Sequence, residues 1–182
     1  SGRGPPLLPG AAGGGPVTVA VHTPGRAAEG PAPSSRLVTA VEPFTPELEA
    51  EWAALADRVD ASPFLRPGYV RVRHAAFAEA ATFAVVTVRR DGVLHGALPV
   101  ADGPSGFGPP SNYETPVEGI VADDPAAMRE VAATLMGLPA PRVVFTYLRA
   151  GGPSAAVIDA AVAAAGRRAE ARTSIRVPEV DT

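Results

Sequence analysis

The side chains able to do chemistry in this chain are few. There is no cysteine, there are three histidines, and every basic residue is arginine. Without cysteine, thiol nucleophiles, thiolate metal sites and disulfides are excluded for this sequence. His22, His74 and His95 have no metal-ligand spacing such as His-x-x-x-His. Each reads as an isolated, partly exposed side chain, and no metal site is expected. Ser105, Ser111 and Ser154 lack a Gly-x-Ser-x-Gly setting, which argues against a serine hydrolase. The most suggestive group is Asn112-Tyr113-Glu114, set among glycines and prolines. Loops carry function more often than core positions. Tyr113 could donate a proton and Glu114 could take one as a general base, with Asn112 facing substrate. The bland alternative is a surface turn in which Asn112 bonds to nearby backbone. Tyr147 and Arg149 end an apolar run, near the edge where α/β sheets place ligands, and are candidates for lining a cleft.

Two glycine-rich stretches are poor phosphate cradles. Gly103-Pro104-Ser105-Gly106-Phe107-Gly108 is not followed at once by a helix and matches neither a Walker loop nor a dinucleotide fingerprint. Gly151-Gly152-Pro153 does precede a helical pattern, but it brings a proline and no lysine. Asp123 and Asp124 precede Pro125 at another helix start, where carboxylates suit the helix dipole as ordinary caps. Trp52 falls on an apolar stripe and reads as core.

The elements that must position these residues follow from periodicity. Leu37–Val41 reads as a strand. Thr45-Pro46 opens a helix, with Leu48, Trp52, Leu55 and Val59 on one stripe. Ser62-Pro63-Phe64 breaks it. A second helix over 67–78 is expected to carry Tyr69, Val72, Ala76 and Phe77 on its inner side. Phe83–Val88 and Val93–Val100 flank Asp91-Gly92, the strongest short-range hairpin signal. Residues 101–116 read as a loop, and 117–122 as a strand. Asp124-Pro125 starts a third helix, with Met128, Val131, Ala132 and Leu135 inward. Arg142–Leu148 reads as a central strand. Gly152-Pro153 starts a fourth helix, with Ile158, Ala161, Val162 and Ala165 inward and Gly166 as its stop. Residues 168–177 read as a last strand. The order β-α-α-β-β-β-α-β-α-β predicts an α/β (α+β) lobe: a mixed, mostly antiparallel sheet with helices on both faces.

Composition sets the outer bounds. The 182 residues include 19 glycines and 21 prolines, and many of these fall in residues 1–35. That stretch is expected to be a disordered leader, because it cannot bury enough apolar area to offset its ordering entropy. Residues 36–182 form the predicted domain. The net charge of −3 and the scattered arginines leave no basic stripe, so nucleic acid is not an expected partner. No apolar run reaches the roughly 18 residues of a membrane helix. No membrane partner is expected, and the chain reads as cytoplasmic. Its start at Ser1 suggests a fragment or a processed product.

Local words sharpen the element order. Trp52-Ala53-Ala54-Leu55-Ala56, Ser62-Pro63-Phe64, Ala97-Leu98-Pro99, Pro110-Ser111-Asn112 and Thr115-Pro116 follow one another at spacings that resemble the CelD-like acetyltransferases. Those belong to the GNAT superfamily of N-acetyltransferases. They are relatives of the Fem peptidyltransferases, built from two tandem lobes. The resemblance spans about residues 37–182 and implies an N-terminal lobe, with a C-terminal lobe missing here. It implies acyl transfer from acyl-CoA to a small-molecule or peptide amine. In this superfamily the pyrophosphate of coenzyme A sits on a glycine-containing loop at a strand–helix junction. The corresponding run here, Val121 to Met128, has no glycine and carries Asp123, Asp124 and Pro125. No cofactor is therefore expected on this lobe. Acetyl-CoA or another acyl-CoA would be a cosubstrate held by the full-length protein. The alternative is a non-catalytic binding or scaffolding domain that keeps the fold without the chemistry.

Overall fold

The computed structural model describes residues 36–77, 83–103, 106–110 and 117–172. The expected leader over 1–35 and the end of the expected last strand lie outside these; the described part of that expected strand, residues 168–172, is exposed and forms no strand. A central antiparallel sheet is built from β1 (Leu37–Pro43), β2 (Phe83–Arg90), β3 (Val93–Gly103), β4 (Gly106–Gly108) and β5 (Val121–Ala122). Its order is β1-β2-β3-β4, with β5 also pairing with β3. Hence β3 has β2 along one edge, and β5 and β4 end to end along the other. The β2–β3 turn takes positive φ at both Asp91 (52°) and Gly92 (81°), the mirror-image geometry that matches strand twist. The register shifts once, between Val88 and Arg89.

Helices cover both faces, as predicted. Strand alternation sends Val86, Val88, Leu98 and Val100 to one side and Val85 and Ala97 to the other. The first side packs against α3 (Pro125–Gly137) and α4 (Pro153–Ala164) through Val131, Leu135 and Ile158. The second packs against α1 (Pro46–Arg58) through Leu48, Trp52 and Leu55. Thr45 caps α1 by accepting from Leu48 N at 3.3 Å, and Pro46 fills the first helical position. α4 ends where expected. Gly166 takes φ 63°, Arg167 N donates to Val162 O and Gly166 N to Ala163 O, a Schellman closure. The Arg167 side chain then bonds the carbonyls of Met136 and Ala140 at the exit of α3.

Three further expectations are corrected. The run Arg142–Leu148 forms no regular strand. Among the described residues its only strand-type pairing is through isolated parallel bridges, Phe107 to Val143 and Glu118 to Leu148. Its apolar residues are half-buried beside β4 and β5, where an apolar run alone suggested a central position. The stretch read as a loop from Ala101 contains the end of β3 and all of β4. Gly108 permits this, since a Cβ there would lie 2.1 Å from Val144 O. The helix α2 (Pro67–Phe77) is rotated from its expected phase. Val70 and Arg73 are buried, whereas Val72 is 59% exposed and Ala76 is exposed. Among the described residues no helix is long and apolar enough to cross a membrane.

Candidate functional site

The rotation of α2 places a charge inside the protein. Arg73 is 7% exposed, and Glu118, just ahead of β5, is 5% exposed. Both line a small, partly open cavity of about 20 Å³, with Trp52, Tyr69 and Phe64 among its aromatic walls and Pro99, Pro109 and Pro110 on others. α1 supplies Trp52, α2 supplies Tyr69 and Arg73, and the segment leading into β5 supplies Glu118. Phe64 and Tyr69 meet edge to face with centroids 5.2 Å apart. Glu118 is fixed at three points. Its N–H donates to Tyr147 O, its Oε2 accepts from Thr146 N at 2.8 Å, and it bridges to Leu148. Burial pushes the Arg73 guanidinium below its ordinary pKa, and the nearby Tyr69 and Glu118 oppose that shift. Arg73, Tyr69 and Glu118 each engage a partner. The Trp52 indole Nε1 is buried and has no hydrogen-bond partner among the described residues.

Beside this cavity Gly119 leaves just enough room for α4 to approach. A Cβ there would lie 3.0 Å from Ser154 Oγ, and that oxygen accepts from Ile120 N at 3.1 Å. Ser154 thus ties the start of α4 to the segment that carries Glu118 into β5, a structural role.

A second polar cluster sits at the opposite end of β3. His95, Asp123 and Asp124 bring one potential ligand atom each to within 4.8 Å of one another. Their oxygens are already used. Asp124 Oδ1 accepts from Ala126 N and Ala127 N at 2.7 and 2.8 Å, and its Oδ2 pairs with Arg90 at 3.1 Å. Asp123 Oδ1 meets His95 Nδ1 at 2.8 Å, and its Oδ2 pairs with Arg58 at 3.0 Å. Two guanidinium groups therefore supply the positive charge that a cation would bring. The arrangement is an ion cluster that closes the start of α3. It also occupies the Ala126 and Ala127 N–H groups of that helix start.

The residues singled out in the sequence fare differently. Asn112, Tyr113 and Glu114 lie outside the described residues. Tyr147 is half-buried and reaches the site through its carbonyl, which holds Glu118 N. Arg149 is exposed at the turn into α4, where its carbonyl accepts from Gly152 N at 3.1 Å. Neither Tyr147 nor Arg149 lines the cavity. Trp52 is fully buried in the core, as read, and forms part of the cavity wall as well. Arg73 and Glu118 escaped sequence reasoning. The available signal was the spacing Pro67, Val70, Arg73, which makes a helical stripe only if an arginine is allowed inside. No family model, curated protein or solved structure matches this chain.

Proposed function

We propose that this domain is the acceptor-binding lobe of an acyl-CoA-dependent N-acyltransferase, holding a small-molecule or peptide amine while a second lobe holds the thioester. The observation that carries this reading is the buried Arg73–Glu118 cavity. Burying two ionised groups at the rim of a small cleft is costly, and such arrangements concentrate at functional sites. In the transfer the amine nitrogen bonds to the acyl carbon and the C–S bond breaks. The amine proton leaves with a base, and coenzyme A departs as the thiol. This lobe contributes positioning of the acceptor, which lowers the entropic part of the barrier. A cysteine-free chain fits the cytoplasm, where acyl-CoA is met.

The separation of roles rests on α3. Its N-terminus is filled by Asp124, and Pro125 has no N–H to offer. Titration of this chain with acetyl-CoA should therefore show no binding tighter than about millimolar, near 4 kcal/mol. In the full-length protein, Arg73→Gln should raise KM for the amine by about tenfold, a loss of about 1.4 kcal/mol, and leave KM for acyl-CoA unchanged. A rise in KM for acyl-CoA alone would sink the assignment. The filled α3 terminus also favours a second reading, a binding or scaffolding domain without chemistry. Full-length protein that transfers no acyl group to any amine would select it.

A further inference from the structure

Among the described residues the sheet has one long edge with no strand beside it. β1 runs seven residues and pairs only with β2, so a row of its N–H and C=O groups faces away from the sheet. Natural sheets blunt such an edge with a lysine, a proline, a bulge or a very short strand. Leu37–Val41 carries no charge and no proline, and its register with β2 runs unbroken from Leu37 to Pro43. Its side chains are only part-covered. Val38 is 50% exposed and Leu37, Thr39, Ala40 and Val41 are half-buried, whereas Val85 to Val88 of β2 are buried.

The two ends of β1 carry charge. Arg36 stands exposed just before the strand. At the other end Glu42 accepts from Thr87 Oγ1 and pairs with Arg89, which also pairs with Glu51. Two carboxylates thus share one guanidinium there. A strand laid antiparallel along this edge matches it by bringing a cation to Glu42 and a carboxylate to Arg36, and β1 itself does both. Turned about a two-fold axis at Thr39, a second β1 sets Arg36 opposite Glu42 twice, Leu37 opposite Val41 and Val38 opposite Ala40. Opposed residues share a face, where opposite charges and apolar pairs stabilise. Leu37 and Val41 already pack together on the α3 side. Pro43, which has no N–H to donate, falls outside the paired run.

We propose that two copies of this chain join β1 edge to β1 edge, in the register centred on Thr39, as a two-fold dimer with one continuous sheet. Each copy covers the other's edge, so assembly closes at two. The contact uses no residue of the Arg73–Glu118 cavity and is independent of the acyl-transfer reading.

The chain has no cysteine, so a single introduced one reports on one contact. Opposed residues of an antiparallel pair have Cα atoms about 4.5–5.5 Å apart, within disulfide reach. Thr39→Cys should therefore cross-link to a dimer under mild oxidation. Two Val38→Cys residues are offset by two positions, with Cα atoms about 8 Å apart, and should link at least about tenfold more slowly. Sedimentation of the unaltered full chain should show a mass that rises with concentration from one chain to two and no further. Arg36→Glu sets like charges opposite each other twice. It should raise the Kd of the dimer about tenfold at low ionic strength and leave the circular dichroism unchanged. Equal cross-linking at positions 38 and 39, or an unchanged Kd for Arg36→Glu, overturns the register. The mass of one chain at every concentration overturns the dimer, as it would if another segment of the same chain took the edge. Growth beyond two chains overturns it too.

Discussion

Asp124 closes the start of α3 with one carboxylate, and removing it has a cost that can be worked out by parts. One oxygen accepts from Ala126 N and Ala127 N, and the other pairs with Arg90 across to β2. Loss of an N-cap side chain costs about 1 kcal/mol, within a range of about 0.5–2. A half-exposed ion pair adds about 0–1 kcal/mol. Asp124→Ala should thus destabilise the domain by about 1.5 kcal/mol at pH 7. With a urea slope of about 2 kcal/mol per molar, the midpoint should fall by about 0.75 M. Asp124→Asn keeps a good capping oxygen and loses only the charge, so its loss should be less than half as large. Acid separates the parts further. The hydrogen bond from Ala127 N, helped by Ala126 N and Arg90 against the cost of burial, holds the Asp124 carboxyl below its ordinary value of 3.8. A depressed carboxylate contributes stability above its unfolded pKa and loses it as pH falls through the folded one. The difference between the parent and Asp124→Ala should therefore be constant from pH 7 to about pH 5 and shrink below about pH 4. Equal losses for the alanine and asparagine variants, or a difference undiminished in acid, would refute this account of the cap.

Three further outcomes are expected. Trp52→Ala should cost about 3–5 kcal/mol by urea unfolding, because the ring is fully buried between α1 and the sheet; an unchanged midpoint would contradict that burial. Gly108→Ala should cost more than Gly92→Ala in the same assay. The first forces a Cβ to 2.1 Å from Val144 O, and the second meets open space and pays only for its positive φ, about 1–2 kcal/mol. Glu118→Gln should destabilise by about 1–3 kcal/mol, because the buried Glu118 carboxylate holds Thr146 N and opposes the depression of the Arg73 pKa, and adding Arg73→Met should restore part of that. Additive losses in this double-mutant cycle would show that the two charges act independently.

Much of the scaffold was legible because local chemistry and tertiary need agree there. Asp91-Gly92 could only be a tight turn, Thr45-Pro46 and Asp124-Pro125 could only start helices, and Gly166 could only stop one. Where the two disagree, the sequence misleads. Arg142–Leu148 is apolar enough for a central strand. The outer edge of β3 is already taken by β4 and β5, so the run settles beside them with two bridges. In α2 the apolar Val72 suggested an inner face, but the cavity opposite carries Glu118 and draws Arg73 inward instead. Hydrophobic patterning cannot announce a buried arginine whose nearby carboxylate lies 45 residues away. For that reason Arg73 and Glu118, the strongest candidates in the structure, were the least visible in the sequence. The Asn112-Tyr113-Glu114 loop, the most visible, lies outside what the structure describes.

The double occupancy of the outer edge of β3 has a consequence for the order in which the chain folds. β2 and β3 are joined by two residues, so their pairing closes almost no loop and can form on the microsecond scale of a hairpin. β1 reaches β2 only after α1 and α2 have been looped out, and pairs Pro43 with Ala84 across a long excursion of chain. β4 folds back locally on the far end of β3, whereas β5 must return from further along to its near end. β3 is thus the template on which both earlier and later sequence condenses, and β1, the first of the described strands, is the one that waits for its partner.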